Sequence, residues 1–239
     1  MPESENLNIL LQGAEDYSTK ISDFLKRHGI RKIIGFSGSA DIRLEDFLEG
    51  DPLQEQYKGF KNAFHKRIIV DILKLLKDYN VAILTGGTKG GIPELAATEA
   101  RALGLKTIGV YPRAGKKYCL DDSIINLSIC VEPLIGESRW GDEGAVWTTL
   151  IDAMIVINGQ AGTLTECAHI QKINEALIKG GDSPKYIIPI YGTGGIADQL
   201  PHLWAKPEIK NKSMPLERVY TGKQAADFII ENLDLEYDY

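Results

Sequence analysis

The sequence predicts an α/β protein, a single domain on an open, doubly wound, mainly parallel sheet with helices on both faces. Three observations predict it. A short apolar run, a glycine turn and an amphipathic helix recur in that order at least three times. The runs are continuously apolar and rich in β-branched residues, as strands covered on both faces are. Glycine makes up 24 of 239 residues, about 10% against a usual level near 7%, and the surplus gathers at the ends of the runs.

The elements follow in order. Residues 1–16 read as a polar arm, and Ser18–His28 as a short helix stopped by Gly29. Together residues 1–30 form an N-terminal arm and helix ahead of a main domain over 31–239. Lys32–Phe36 (KIIGF) is the first strand, closed by Ser37-Gly38-Ser39. Asp41–Gln56 reads as an irregular or short helical insert. Lys58–Tyr79 is a helix, with Phe60, Phe64, Ile68, Ile72 and Leu75 at helical spacing as its core face and lysines opposite. Val81–Leu84 is the second strand, followed by the turn TGGTKGG (85–91) and a helix with Pro93 in its first turn. Thr107–Tyr111 is the third strand and Ile129–Val131 a weaker fourth. Gly141–Leu150 is helical, Ala153–Ile157 (AMIVI) is a strand, and the turn 158–163 leads into helix Leu164–Lys179. Tyr186–Ile190 is the sixth strand. A helix at 196–204, a strand at Arg218–Tyr220 and a helix at Gly222–Leu233 close the chain.

Charge and composition exclude several functions. Lys and Arg number 27 against 33 Asp and Glu, a formal charge of −6. That balance speaks against a nucleic-acid polymer as partner, because such binding rests on cations neutralising phosphates. It leaves room for a small anion cradled by backbone donors. Cys119, Cys130 and Cys167 form no CxxC, and the four histidines show no metal-ligand spacing. No apolar run approaches ~18 residues, so no membrane partner is expected. No signal peptide is read, and a cytoplasmic location is expected. No cofactor is required.

In doubly wound sheets ligands bind at the carboxyl ends of the strands, where these glycine turns lie. The turn 85–91 is neither a Walker A loop nor GxGxxG, and by itself it reads equally as a tight β–α connection. The turn 158–163 continues as Gly162-Thr163-Leu164-Thr165-Glu166. Thr163 and Glu166 have the spacing of a capping box. The same residues would also put a carboxylate at the mouth of an anion-binding helix terminus.

Thr85–Pro112 (TGGTKGGIPELAATEARALGLKTIGVYP) resembles the central segment of the LOG-like proteins, long labelled "possible lysine decarboxylase". These belong to the SLOG superfamily of Rossmann-like nucleotide-binding domains. Asp152–Glu166 (DAMIVINGQAGTLTE) is similar to the family's second signature, a strand followed by PGGxGTxxE. The resemblance runs in order over about residues 32–190. It implies a nucleotide or nucleotide-derived ligand, with Asn158, Gly159, Gly162 and Thr163 at its phosphate. Gly86, Gly87 and Thr88 would form a neighbouring wall, with Ser37, Gly38 and Ser39 at the first turn. It also implies a homodimer.

The resemblance implies that Glu166 matches the glutamate which, in phosphoribohydrolase members, acts in cleaving the base from ribose 5′-phosphate. Two departures stand out. The signature's proline and second glycine are Asn158 and Gln160, and the position of an arginine in hydrolase members holds Glu143. Arg139, one helical turn earlier, is the candidate replacement. Two readings therefore stand side by side. One is hydrolysis of the N-glycosidic bond of a nucleoside 5′-monophosphate, with Glu166 and Arg139 as the catalytic pair. The other is a non-catalytic nucleotide sensor or a carrier of a pterin nucleotide. The decarboxylase label finds no lysine context to support it.

Other residues carry paired readings. Trp140 and Trp147, seven residues apart on one helical face, read as core packing or as base-stacking rings. Arg113, Lys116 and Lys117 read as surface charges or phosphate partners. Cys167 reads as a small buried hydrophobe and His169 as a structural residue. The tail Asp227–Tyr239, with five acids and no cation, reads as a solvated helix end or a docking segment.

Overall fold

A computed structural model describes residues 18–40, 52–203 and 206–237. The expected arm 1–16 and most of the expected insert 41–56 lie outside these residues.

Six strands form one sheet: β1 (Lys32–Gly38), β2 (Val81–Thr85), β3 (Lys106–Pro112), β4 (Leu127–Val131), β5 (Ala153–Ile157) and β6 (Tyr186–Pro189). Their order is β4-β3-β2-β1-β5-β6, and every neighbouring pair is parallel. The chain leaves β1 toward β2 on one side and later returns to β5 on the other. The switch point of the doubly wound sheet thus lies between β1 and β5. Gly35–Gly38 pair there with Met154–Ile157.

Alternation within the strands explains why both faces are covered. Ile34 and Phe36, Val81 and Ile83, and Ala153, Ile155 and Ile157 enter one core. Ile33, Ala82 and Leu84, and Met154 and Val156 enter the opposite one. The first core is closed by α2 (Pro52–Leu76), α3 (Gly91–Ala102) and α8 (Gly222–Leu233). The second is closed by α1 (residues 18–27), α4 (Gly144–Leu150), α5 (Ala161–Gly180) and α6 (Gly195–Leu203), while α7 (Pro207–Ser213) packs on α5 and is followed by Met214, which enters this core.

Several expectations change. The buried stripe of α2 is His65, Ile68, Ile69, Ile72, Leu73 and Leu76, whereas Phe60, Phe64 and Leu75 are exposed. Phe60 and Phe64 belong to the i, i+4 row that includes Ile68 and Ile72, but the first turns of α2 are not covered by the sheet as the later ones are. Arg218–Tyr220 is no strand: one parallel bridge joins Val219 to Ile190. Two short helices escaped the sequence reading, α7 and the 3-10 helix Arg113–Tyr118. The acidic tail folds back onto the amino edge of the sheet. Tyr237 stacks on Tyr79 with ring centroids 4.6 Å apart, and Arg31 pairs with Glu236 at 2.6 Å.

Among the described residues, no helix is long and apolar enough to cross a membrane.

Candidate functional site

The carboxyl ends of β1, β2 and β5 open into a cleft of about 580 Å³, within the usual range of small-molecule sites, roughly 300–1,000 Å³. Three segments build its walls. Phe36–Ala40 form the end of β1 and the turn after it, Gly86, Thr88 and Pro93 come from the β2–α3 turn and the start of α3, and Gln160–Thr163, Thr165 and Glu166 form the first turns of α5 with their cap residue. A fourth segment, Trp140, Gly141, Glu143, Gly144 and Trp147, closes the cleft.

The turn before α5 shows why its residues stand where they do. Asn158 sits in the left-handed region at φ 58° and Gly159 at φ 103°. Asparagine tolerates that region better than most residues, whereas the signature's proline, with φ locked at about −65°, cannot adopt it. A Cβ on Gly159 would lie 2.7 Å from the Thr163 side chain. Both residues are then committed elsewhere. The Asn158 N–H donates to Thr193 Oγ1 (2.9 Å), and the Asn158 and Gly159 carbonyls accept from Ala197 and Ile196 (3.0 Å each). They tie β5 to the start of α6.

The helix begins at Ala161 with Gln160 as its cap residue, three residues earlier than the sequence predicts. Thr163 therefore lies inside the first turn, and the expected Thr163–Glu166 capping box is not formed. Glu166 reaches across the switch point instead and accepts a short hydrogen bond from Ser37 Oγ. Thr163 Oγ1 stands 3.2 Å from the same hydroxyl. The N–H groups of Ala161, Gly162 and Thr163 have no partner within the helix. Nothing lies within 4 Å of the space a Gly162 side chain would take. The positive end of this 20-residue helix thus opens on the cleft with its donors free.

The α3 terminus next to it is not free. The Gly90 N–H donates to Glu94 Oε2 (2.6 Å) and the Ile92 N–H to the Ser39 carbonyl (3.0 Å). Ser39 Oγ is buried without a hydrogen-bond partner. Gly87, at φ 60°, faces β3 rather than the cleft, with Gly109 Cα 2.6 Å from where its Cβ would be.

Electrostatics divide the cleft. None of the described residues lining it is Lys or Arg, whereas Glu143 and Glu166 both line it. Burial pushes the Glu166 carboxyl up to about 7, against the opposing pull of the Ser37 hydrogen bond, and nearby Glu143 raises it further. Burial also raises Glu143, although the Gly141 N–H donates to its Oε2 at 2.8 Å.

Of the residues the sequence singles out, Ser37, Gly38, Ser39, Gly86, Thr88, Gly162, Thr163 and Glu166 meet around the cleft. Gly87, Asn158 and Gly159 support its turns from behind. Arg139 is exposed and is not among the lining residues, and its N–H donates to Asp142 Oδ2. The two tryptophans part company because α4 begins at Gly144, after Trp140, and not at Gly141. Trp147 is 1% exposed and packs its ring over Gly35, whereas Trp140 is 59% exposed at the cleft rim. Arg113 pairs with Glu132 (3.0 Å), and Lys117 lies over the Tyr118 ring. His169 Nδ1 meets Thr148 Oγ1 (2.9 Å), tying α5 to α4, and burial pushes the Cys167 thiol well up.

Comparison with known proteins agrees with this architecture. The family model LDcluster4, described as the SLOG cluster4 family, matches residues 60–180. No curated protein matches the sequence. The fold is similar to the molybdenum cofactor binding protein of Rippkaea orientalis, with TM-score 0.56 and 17% identity over 85% of this chain and 98% of that one. It is also similar to the molybdenum cofactor carrier protein of Chlamydomonas reinhardtii, with TM-score 0.52 and 18% identity over 85% and 99%. A structural-genomics target, TM1055, gives TM-score 0.56 and 16% identity over 84% and 99%.

Proposed function

The chain belongs to the SLOG cluster4 family, and from that premise we propose that the cleft binds a nucleotide or nucleotide-derived ligand without cleaving it, as a carrier or sensor. The observation that carries this reading is the α5 terminus: three free N–H groups at the switch point, in a cleft with no Lys or Arg among its described lining residues. A phosphate is held there by amides and the helix dipole. The position that holds arginine in hydrolase members holds Glu143, and Arg139 is not a lining residue. A hydrolase site of this kind is thereby short of the cation that would steady phosphate or transition state. The molybdenum cofactor proteins among the fold relatives support a carrier of pterin cargo. None of the cysteines lines the cleft, so such a cargo would be held by its ring and phosphate.

One observation favours hydrolysis as a second reading. A carboxyl held near 7 beside a hydroxyl can exchange a proton at neutral pH, as a general acid or base does. One experiment separates the two. Nucleoside 5′-monophosphates are incubated with the protein, binding is measured by calorimetry, and free base and ribose 5-phosphate are assayed. The carrier reading expects saturable binding and no release. Release that is lost in Glu166→Gln would replace it with hydrolysis.

A further inference from the structure

The cleft has backbone donors on one wall, where the Glu166 carboxyl also stands, and the Glu143 carboxyl on another. The donor wall is the first turn of α5. The Glu143 wall is the turn Arg139–Gly144, which is held by its own hydrogen bonds: Asp142 N–H to the Arg139 carbonyl, Gly144 N–H to the Gly141 carbonyl, and Arg139 N–H to Asp142 Oδ2. Gly141 at φ 107° lets this turn close. Trp140 and Glu143, three residues apart in this turn, both line the cleft. The turn is also anchored from outside. Trp140 packs on Gly115, where a Cβ would meet its ring at 2.9 Å, and stacks on Tyr118 at 6.3 Å between centroids. Ala114 N–H donates to Ser138 Oγ (2.9 Å).

We propose that Trp140 and Glu143 select a ring with two adjacent N–H donors, the 2-amino-4-oxopyrimidine edge shared by guanine and pterin. The inference rests on the proposed function, because it assumes that the phosphate of the ligand lies at α5. The ring stacks on the exposed Trp140 face, a sequence-blind contact. Glu143 then supplies the discrimination. A carboxylate is acceptor-only, with about four lone-pair sites. The Gly141 N–H takes one of them. The remaining sites match a ring N–H and a neighbouring amino group in a bidentate pair. Adenine sets an acceptor nitrogen beside its amino group, so one carboxylate oxygen would face a lone pair. Uracil offers one N–H between two carbonyls, and cytosine again pairs an amino group with an acceptor. Among the described lining residues there is no Lys, Arg or Asn, and the lining amide, Gln160, stands at the α5 end of the cleft.

The test uses the full chain at pH 8, with calorimetry on GMP, IMP, AMP and dihydroneopterin phosphate. GMP or the pterin phosphate should bind at least tenfold tighter than AMP, with IMP, which lacks the amino group, in between. Which of the first two is tighter identifies the source of the shared edge. Glu143→Gln replaces one acceptor oxygen with a donor, so it should erase that preference by weakening GMP while leaving AMP equal or stronger. A merely structural role would weaken both alike. Trp140→Leu should weaken all four by a similar factor. AMP binding as tightly as GMP, or a GMP preference that survives Glu143→Gln, overturns this inference and leaves the proposed function standing. Failure of every phosphate ligand to bind overturns both.

Discussion

Replacing Glu166 with glutamine should change how stability depends on pH. The carboxyl is held at about 7 in the fold against an ordinary 4.5. Between those values the folded chain carries more protons than the unfolded one, so stability falls as pH rises. The loss is absent below about 4.5 and complete above about 7. A difference of this size corresponds to roughly 3 kcal/mol, less whatever solvation the open side of the cleft provides. Glutamine keeps the shape and an acceptor for Ser37 but cannot ionise. Urea unfolding of both proteins from pH 5 to 9 measures the effect. The wild type should lose up to about 3 kcal/mol relative to Glu166→Gln across that range. Part of the slope will persist in the variant, because burial raises Glu143 in the same direction. A stability gap independent of pH would refute the reasoning.

Further outcomes follow from the same geometry. Ser37→Ala removes the hydrogen bond that holds the Glu166 carboxyl down, so NMR titration of that carboxyl should find it higher than in the wild type. Gly162→Ala meets no neighbour and removes a helical glycine. Thermal unfolding should show a gain of up to about 1 kcal/mol, while calorimetry shows weaker phosphate-ligand binding because the added methyl crowds the cleft. Gly38→Ala puts a Cβ 2.3 Å from the Ile157 carbonyl and should destabilise by ~2 kcal/mol or more, seen as a lowered Tm. Thr221→Ala breaks the one capping box found among the described helices, and urea unfolding should report a loss of about 1 kcal/mol.

The sheet was legible because period-2 burial and glycine punctuation are local properties. KIIGF and AMIVI read as strands covered on both faces, and Ile33/Ile34 and Met154/Ile155 do divide between two cores. Where local spacing competed with a long-range partner, the sequence misled. Thr163 and Glu166 have capping-box spacing, yet Ser37, 129 residues away from Glu166, takes the carboxylate. Trp140 and Trp147 share a seven-residue spacing, but Gly141 enters a left-handed turn and α4 starts only afterwards. Phe60 and Phe64 keep the helical stripe of α2 and still lie exposed, because periodicity does not say how far a sheet extends beneath a helix. The glycines followed the same division. Gly162 opens on the cleft, while Gly87 and Gly159 serve close packing, and composition alone does not distinguish the two uses. The Glu143 position was visible as a departure from the resembled pattern, but its place on the cleft wall depends on a turn that only the three-dimensional fold reveals.

Amide NMR during titration with GMP tests the central claim most directly. The account predicts saturable shifts centred on the N–H signals of Ala161, Gly162 and Thr163, together with quenching of Trp140 fluorescence. Shifts centred elsewhere, with those three amides unmoved at saturation, would contradict it.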